Sequence, residues 1–538
     1  MWCGTTWVCP CDTIFLGSVF AAQECVRFVP LAVRSILFVA ILLPSWLSAE
    51  EYRVYAPHPR LLLSAKHLRL LQRERERQSM RWLQFQKFME AQAPMAEPGL
   101  ATALYAIVAN DARAGHRAVE WALSQAANIR QTALVYDWCQ DWITEGQSLA
   151  LRAKLAKAPT GSDLLSHRDR ILATIAAADD AAHSEEKVLQ QEIDGWFNGQ
   201  FAPELLTGKT GVSPPEAYAL LELLHAIRDN LNLDLRDSAR VWFQQLPIFL
   251  VLGNYPSPLE APENAYRIPV FTGSGQPSTN AAALSRAAGL SLVAYDNNAT
   301  ETQFLQGWLI QDHFLMRGDF GAVYEFLWAN PYQPGLSFFH LPLQFYDEHS
   351  GALFLRSSWE EDATWFGLFG GEAQFFENGN ITVLNQKGGI GHPVLIGDAS
   401  VVTARAPLRY EVDTEWVFVV GLKPRRAYLV EVDDEELRWE QSDPAGTLAL
   451  HLSPEHKKGL RLKEETNDGP ARTASGDRTP PGKPETSDGR RQRTLSGAVD
   501  FSACRRSMER SGQSGAHQSG GSPYLHGDPT RLSATPAA

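Results

Sequence analysis

Apolar positions along the first part of the chain recur at helical spacing. After Ser64, a favoured N-cap residue, the stretch SAKHLRLLQRERERQSMRWLQFQKFMEAQ places Leu68, Leu71 and Trp82 at intervals compatible with one apolar face. Further segments of this kind follow up to about Pro334, among them PPEAYALLELLHAIRDN and NAAALSRAAGLSLVAYD. Many helices joined by loops, without strand alternation between them, predict a helical array that packs around an apolar core.

The pattern changes after Pro334. HSGALFLRSSW, ATWFGLFGG, EWVFVVGLK and RAYLVEVDD are short, rich in β-branched and aromatic residues, and separated by Gly, Asp, Asn and Pro. These features predict an antiparallel β-domain of the sandwich type. The expected fold class is therefore a multidomain α+β protein.

The first 49 residues resemble a leader for export. Arg27 and Arg34 precede an apolar run from Ser35 to Leu43, and a region of small residues ends at Ala49. The run is too short for a comfortable membrane span of roughly 20 residues. We therefore predict a cleaved secretory signal, a secreted or periplasmic location, and no stable membrane span after cleavage.

The last segment of the chain, residues 464–538, has a different composition. It is rich in Gly, Ser, Pro, Arg and Thr and has few large apolar residues, so burial cannot offset the loss of chain entropy. We expect it to be disordered. Two explanations stay open: a functional tail, or a frameshift that replaced the rest of the β-domain.

Charge and cysteine usage narrow the classes of ligand. The 538 residues carry a net charge of −13, with no dense basic stripe in the body, which argues against a nucleic-acid partner. Four of the six cysteines fall in the leader, and no second ligand pair follows at zinc-ribbon spacing. We therefore expect no metal and no cofactor.

Three stretches together suggest a family. They are APHPRLLLS (residues 56–64), ALVYDWCQDWI (133–143) and GALFLRSSWEEDATWFGLFGG (351–371), and they resemble the heparinase II/III-like polysaccharide lyases. The resemblance covers roughly residues 57–460. It implies an incomplete α/α toroid over residues 50–334, followed by an antiparallel β-sandwich-like domain over 335–463 that is shorter than in the family.

The family also implies a chemistry and a partner. Such lyases cleave acidic polysaccharides that contain uronic acids by β-elimination. The reaction needs a group that neutralises the substrate carboxylate, a base for the C5 proton and an acid for the leaving oxygen. In the family, Asn or Gln commonly fills the first role, and Tyr and His share the other two.

Candidates for these roles are found in the helical half of the chain. In GKTGVSPPEAYALLELL, Tyr218 is the candidate acid/base, although its spacing from Ser213 and Pro214 differs from the family pattern. The other interpretation of Tyr218 is an aromatic side chain on a buried helix face. The loop PENAYRIPVFTGSG offers Asn264 and Tyr266, and Asn264 is a candidate for carboxylate neutralisation.

The β-domain lacks the family's histidines. One alignment of FFENGNITVL places Ala373 and Phe375 at the two histidine positions. A second alignment of GNITVLNQKGGIG places Asn380 at the family's Asn and implies that an earlier strand pair is deleted between Gly371 and Glu377. His392 is the nearest histidine and a weaker candidate, because a loop histidine beside Pro is usually only exposed.

Three functions therefore stay open. The first is a polysaccharide lyase with Tyr218 as acid/base and Asn264 or Asn380 as the carboxylate-neutralising group. The second is an inactive, glycan-binding relative of the same family. The third is an α/α-toroid glycoside hydrolase that would use two carboxylates such as Glu216 and Glu263.

Overall fold

The computed structural model describes residues 52–178, 184–260, 265–273, 275–311, 318–330, 332–384, 393–434, 436–452 and 457–465. All of them lie in one compact unit that begins at Tyr52. The predicted leader lies outside these ranges, and so does the predicted tail apart from residues 464 and 465. Helices occupy the first part of the described chain and sheets the second, which confirms the mixed α+β class.

Helices fill the region up to residue 340. The α-helices are α1 (Ala65–Glu76), α2 (Met80–Glu90), α3 (Pro98–Ala109), α4 (Ala112–Leu123), α5 (Ile129–Trp138), α6 (Glu145–Leu155), α7 (Leu164–Ala177), α8 (Ser184–Gln190), α9 (Ala202–Leu206), α10 (Ala217–Leu231), α11 (Arg240–Leu252), α12 (Thr279–Tyr295), α13 (Thr300–Gln311) and α14 (Gly321–Trp328). A π-helical stretch, Gln191–Phe201, joins α8 to α9, and short 3-10 helices form at Gln140–Trp142, Leu235–Ala239 and Phe338–His340. No helix among the described residues is long and apolar enough to cross a membrane.

The first predicted helix is two helices. Ser64 caps α1 as expected, because its hydroxyl accepts a hydrogen bond from the His67 backbone N–H at 3.3 Å. The chain then breaks at Gln78, whose φ of 50° is left-handed. Ser79 starts α2 by accepting from the Trp82 N–H. A second serine cap therefore begins a new helix within a stretch whose apolar pattern predicts one continuous helix.

Two of the three stretches that carry the family resemblance contact each other. The Asp137 carboxylate at the end of α5 accepts hydrogen bonds from the backbone N–H groups of Arg60 and Leu61 at 2.9 and 2.8 Å. The same carboxylate pairs with the His58 ring, and the Trp138 indole donates to the Leu61 carbonyl at 2.9 Å. These contacts hold the segment before α1 against α5, so both stretches have a structural role in the helical region.

The strands form three larger sheets and one small hairpin. Their bounds are β1 (Leu259–Glu260), β2 (Ala265–Tyr266), β3 (Gln344–Asp347), β4 (Ala352–Arg356), β5 (Trp365–Phe369), β6 (Glu372–Glu377), β7 (Asn380–Leu384), β8 (Val394–Ile396), β9 (Ala399–Thr403), β10 (Arg409–Val412), β11 (Trp416–Val420), β12 (Ala427–Val432), β13 (Glu436–Gln441), β14 (Leu448–His451) and β15 (Lys458–Glu464). β3 to β7 form an antiparallel meander, the first sheet. The second sheet has the order β14-β11-β9-β8 and the third β10-β15-β12-β13.

The second sheet departs from the antiparallel expectation. β9 and β11 pair in parallel, while the other described strand pairs are antiparallel. The reason is the chain path: β10, which lies between them in sequence, belongs to the third sheet, so β11 returns in the direction of β9. The sequence pattern of a single strand does not show which sheet that strand joins, so this parallel pair was not predicted.

Shared cores place the second sheet between the other two. Val401 and Phe418 pack with Leu353 and Phe366 of the first sheet. On the opposite face, Val417 and its neighbours pack with apolar side chains of the third sheet. The other face of the first sheet contributes Phe345, Phe354, Trp365 and Phe376 to the core of the helical region. The first sheet is therefore the layer that contacts the helices.

The close approach of α13 to the segment before β3 gives a testable consequence. A Cβ atom at Gly307 would lie 1.8 Å from the Leu336 carbonyl oxygen, far inside contact distance. We expect Gly307→Ala to lower the free energy of unfolding by about 3 kcal/mol, because backbone must move to relieve the clash. Urea denaturation measures this.

Gly146 is the matched control, since it also lies in a helix, α6, and a Cβ there meets nothing within 4 Å. Gly146→Ala is expected to raise the free energy of unfolding by up to about 1 kcal/mol through helix propensity. Equal unfolding free energies for the two variants would contradict the packing described for Gly307.

Candidate functional site

A cavity of about 710 Å³ lies where the helices meet the first sheet. We call it the interface cavity, and its volume falls in the range of roughly 300–1,000 Å³ that is usual for small-molecule sites. Its walls combine large apolar side chains with a few amides and hydroxyls. The lining includes Ser213, Pro214, Pro215, Trp242, Gln245, Phe249, Phe271, Thr272, Gln276, Phe345, Asp347, Ser350, Phe369, Gly370 and Gly371.

α11 supplies the helical wall. Trp242, Gln245 and Phe249 are spaced three and four residues apart, so one face of the helix presents them to the cavity. Pro247 lies inside the same helix and has no N–H, so the helical hydrogen bond to the carbonyl four residues earlier is not made. These three residues were not among the predicted site residues, because the apolar pattern of this segment predicts only a helix that packs against the core.

The approach to α10 supplies a second wall. Ser213, Pro214 and Pro215 line the cavity just before the helix begins. The Glu216 carboxylate accepts hydrogen bonds from the Ser213 backbone N–H and hydroxyl at 3.0 and 2.7 Å, which fixes the turn. The segment that the family pattern indicated therefore contributes to the cavity wall, through side chains that precede Tyr218.

The turn between β5 and β6 of the first sheet forms another part of the cavity wall. Gly370 and Gly371 connect β5 to β6 with φ values of 54° and 75°, the left-handed pair that a tight hairpin requires. A Cβ at Gly370 would lie 3.1 Å from a methyl group of Thr272, so glycine permits this close approach. The two glycines that open the stretch GGEAQFFENGNITVLNQKGG therefore belong to the cavity wall.

The same stretch also fixes the loop that forms the cavity's far side. Gln374 is fully buried; its amide donates to the Phe271 carbonyl at 2.8 Å and accepts from the Tyr255 hydroxyl at 2.6 Å. The Glu372 carboxylate accepts from the Gly273 N–H at 3.0 Å. Burial raises the pKa of Tyr255 to about 12, so its hydroxyl stays a donor at neutral pH. Gln374 was not among the predicted site residues, because it lies on the face of β6 opposite to Ala373 and Phe375.

The described lining carries a single ionisable side chain. That residue is Asp347, and its carboxylate accepts hydrogen bonds from the His349 and Ser350 backbone N–H groups at 3.0 and 3.3 Å. The Ser350 hydroxyl donates to it as well. Asp347 therefore holds the turn between β3 and β4. No Lys, Arg, His, Tyr or Cys is found in the part of the lining that the structure describes.

Tyr218 lies in the core of the helical region. Its side chain is 2% exposed, and its hydroxyl accepts a hydrogen bond from the Trp328 indole at 3.0 Å. Its ring packs edge-on against Tyr324 at 4.8 Å between centroids. Burial raises the pKa of Tyr218 well above its ordinary value, which disfavours the tyrosinate that a base would need. The acid/base role stays a prediction, and the side chain does not line the interface cavity.

Tyr218 borders a buried cluster of charges, which we call the charged cluster. Arg130 of α5 donates to both oxygens of the Glu222 carboxylate at 2.6–3.0 Å and to Glu97 at 2.6 Å. Arg168 of α7 donates to Glu222 at 3.1 Å, and the Tyr324 hydroxyl donates to Glu97. Burial alone would lower the pKa of Arg130, but Glu222 and Glu97 raise it well above its ordinary value. The cluster ties α5, α7, α10 and α14 together.

The other predicted site residues that the structure describes, Asn380 and Tyr266, do not line the interface cavity. Asn380 is exposed at the start of β7, and its amide donates to the Asn378 carbonyl at 3.0 Å. Tyr266 lies in the small β1–β2 hairpin and is half-buried. Asn264 and His392 lie outside the described residues, as does Glu263 of the hydrolase hypothesis. Their roles stay predictions.

The described residues hold no cluster of three or more His, Cys, Asp or Glu side chains that could hold a metal ion. Comparison with other proteins adds no family assignment: no protein-family model matches the chain, and no curated protein is significantly similar to it.

Proposed function

We propose that the protein binds a glycan in the interface cavity and does not cleave it by β-elimination. The observation that carries the proposal is the composition of the cavity wall. It has aromatic faces and amides that suit sugar rings, and its only ionisable side chain among the described residues is one that the fold already uses.

The wall suits the two kinds of surface that a sugar presents. Trp242, Phe249 and Phe369 line the cavity and are only partly buried, so each ring has surface that the C–H face of a sugar can contact. Gln245 and Gln276 offer amide donors and acceptors, and Thr272 offers a hydroxyl, for hydrogen bonds to sugar hydroxyls. A small number of polar groups in a mostly apolar pocket is typical of sites that orient a small ligand.

Cleavage by β-elimination needs groups that the described wall does not offer. A base and an acid must lie within hydrogen-bond reach of the C5 proton and the leaving oxygen. Asp347 is held by its own turn, and Tyr218 is sealed in the helical core. A hydrolase would need two carboxylates flanking the bond, and the described lining has one.

The charge of the wall favours a neutral glycan at this site. A uronic acid would meet one carboxylate and no cationic side chain in the described lining. Placing a carboxylate there without a cationic partner would cost desolvation free energy that no ion pair offsets. We therefore propose neutral sugar units as the occupant of the cavity. We also propose that the architecture is the one that the heparinase II/III-like resemblance implies, an incomplete α/α toroid followed by a β-sandwich.

The proposal predicts binding without product. Calorimetric titration with neutral gluco-, manno- and galacto-oligosaccharides is expected to give saturable binding for at least one series. Incubation with alginate, heparan sulfate and polygalacturonate is expected to give no rise in the ultraviolet absorbance of unsaturated products. Trp242→Ala is expected to weaken the observed binding by roughly 10-fold or more, because a stacking face is lost.

Trp439→Ala is the matched control, since Trp439 lies on β13, is 59% exposed and does not line the cavity. It is expected to leave the Kd unchanged. Unsaturated products would establish the lyase instead, and new reducing ends without unsaturation would establish the hydrolase. A failure of every oligosaccharide to bind would reject the glycan proposal.

A further inference from the structure

A second concave surface lies on the helical region, away from the first sheet. It is a groove of about 370 Å³ between α1, the last turns of α10 and α12, and the residues that follow α14. It shares no lining residue with the interface cavity. Five of its side chains are Lys or Arg, namely Lys66, Arg73, Arg77, Arg81 and Arg228, and we call it the cationic groove.

Three of these cations are unpaired. Lys66, Arg73 and Arg77 follow one another at seven and four residues, which places them on one side of α1 and its C-cap. All three are exposed, and none forms an ion pair or a side-chain hydrogen bond with another described residue. They therefore present free positive charge along one edge of the groove.

The carboxylates of the groove do not cancel this charge. Glu74 pairs with Arg81 at 3.2 Å, and Asp229 pairs with Arg228 at 3.0 Å. Both ring nitrogens of His67 face backbone carbonyl oxygens at 3.0 and 2.8 Å, and burial lowers its pKa. The groove is thus locally cationic on a chain whose net charge is −13.

The opposite edge carries polar groups without partners and an aromatic ring. The side-chain amide nitrogens of Asn297 and Asn330 make no hydrogen bond with other described residues, and the Tyr332 side chain is 68% exposed. At the base, Arg81 Nε is buried and has no hydrogen-bond partner among the described residues. Buried polar atoms of this kind are usually satisfied by a ligand or by water.

We propose that the cationic groove is a binding site for a short anionic glycan segment. Carboxylate or sulfate groups pair with Lys66, Arg73 and Arg77. The side-chain amide N–H groups of Asn297 and Asn330 donate hydrogen bonds to sugar hydroxyls, and a ring face stacks on Tyr332. The site is independent of the interface cavity, and it supplies the cations that an acidic polysaccharide needs and that the described wall of the cavity lacks.

The groove favours a glycan over a nucleic acid. Amides and a single exposed aromatic ring suit a hydroxyl-rich chain, whereas a nucleic acid is held by an extended set of phosphate contacts and stacked bases. The net negative charge of the chain also repels a long polyanion outside the groove. The groove has a volume near the lower end of the small-molecule range, which suits a short segment.

The test compares oligogalacturonate with its methyl ester, because esterification removes the charge and keeps the rings. Calorimetric titration of the full chain at low ionic strength is expected to show binding of the acid and at least roughly 10-fold weaker binding of the ester. The variant K66Q/R73Q/R77Q is expected to weaken binding of the acid by roughly 10- to 100-fold. Glutamine is a good helix former, so α1 is retained.

The matched control is R113Q/R117Q/R409Q, which removes the same charge from exposed positions outside the groove. It is expected to bind the acid as the unmodified chain does, and so is Trp242→Ala, which tests the interface cavity alone. Equal losses in the two triple variants, equal binding of acid and ester, or loss of acid binding in Trp242→Ala would each overturn the assignment. Tighter binding of single-stranded DNA or polyphosphate than of oligogalacturonate would overturn the glycan as the ligand class.

Discussion

Replacing Arg130 by methionine is expected to lower the free energy of unfolding by roughly 3 to 5 kcal/mol. Arg130 is the cation that compensates Glu222, whose side chain is fully buried, and it also pairs with Glu97. Without it, Glu222 keeps only Arg168 at 3.1 Å, and buried carboxylate oxygens lose charge-assisted hydrogen bonds. Urea denaturation followed by circular dichroism measures the change.

Two further variants separate the loss of pairing from a general effect of mutation. Arg130→Met/Glu222→Met removes both partners and is expected to recover part of the loss, because no unpaired charge is left at that position. Arg240→Met breaks an ion pair with Asp237 whose side chains are 70% and 69% exposed, and is expected to have a much smaller effect. An Arg130→Met variant as stable as Arg240→Met would show that the charged cluster does not support the fold.

Acidification is expected to destabilise the protein through His225. Burial and then the nearby Arg228 lower the pKa of His225 to about 3 from its ordinary value of 6.5. The unfolded chain therefore takes up a proton below about pH 6.5, while the folded chain does so only near pH 3. Stability is highest above the unfolded pKa and falls as the pH is lowered, by about 2 kcal/mol between pH 7 and pH 5.

The hydrogen bonds of His225 also favour a neutral ring in the folded protein. Nε2 donates to the Ser291 carbonyl at 3.1 Å and Nδ1 accepts from Arg228 at 3.2 Å, which is the pattern of a neutral ring. Unfolding free energies at pH 7 and pH 5 should therefore converge in His225→Gln, apart from the contribution of His67, whose pKa burial also lowers. His116→Gln, at an exposed position, should retain the full pH dependence. A pH dependence that is unchanged in His225→Gln would contradict the assignment.

The sequence predicted the order of the parts better than their contacts. Helical and strand periodicities are local properties of the chain, so the helix-to-strand transition and the Ser64 cap could be predicted from the sequence. The break at Gln78 was not, because Ser79 reads equally well as a surface residue inside one long helix. The parallel pairing of β9 with β11 depends on β10 joining another sheet, which no local pattern records.

Two walls of the interface cavity lie in segments that the sequence patterns had indicated. The motif around Ser213 contributes to one wall, and Gly370 belongs to another. Tyr218 instead lies among Trp328, Tyr324 and the charged cluster, which is the buried-aromatic interpretation that the sequence had left open. Trp242, Gln245 and Gln374 come from three separate segments that meet only in the folded chain.

Glycan binding in the interface cavity is tested most directly by a crystal structure of the protein after exposure to the oligosaccharide that binds most tightly in solution. We expect electron density for an intact chain in the interface cavity, with a sugar ring against Trp242 and a hydroxyl within hydrogen-bond distance of Gln245. Density for a cleaved, unsaturated product in the cavity, or an empty cavity with the sugar bound elsewhere, would contradict it.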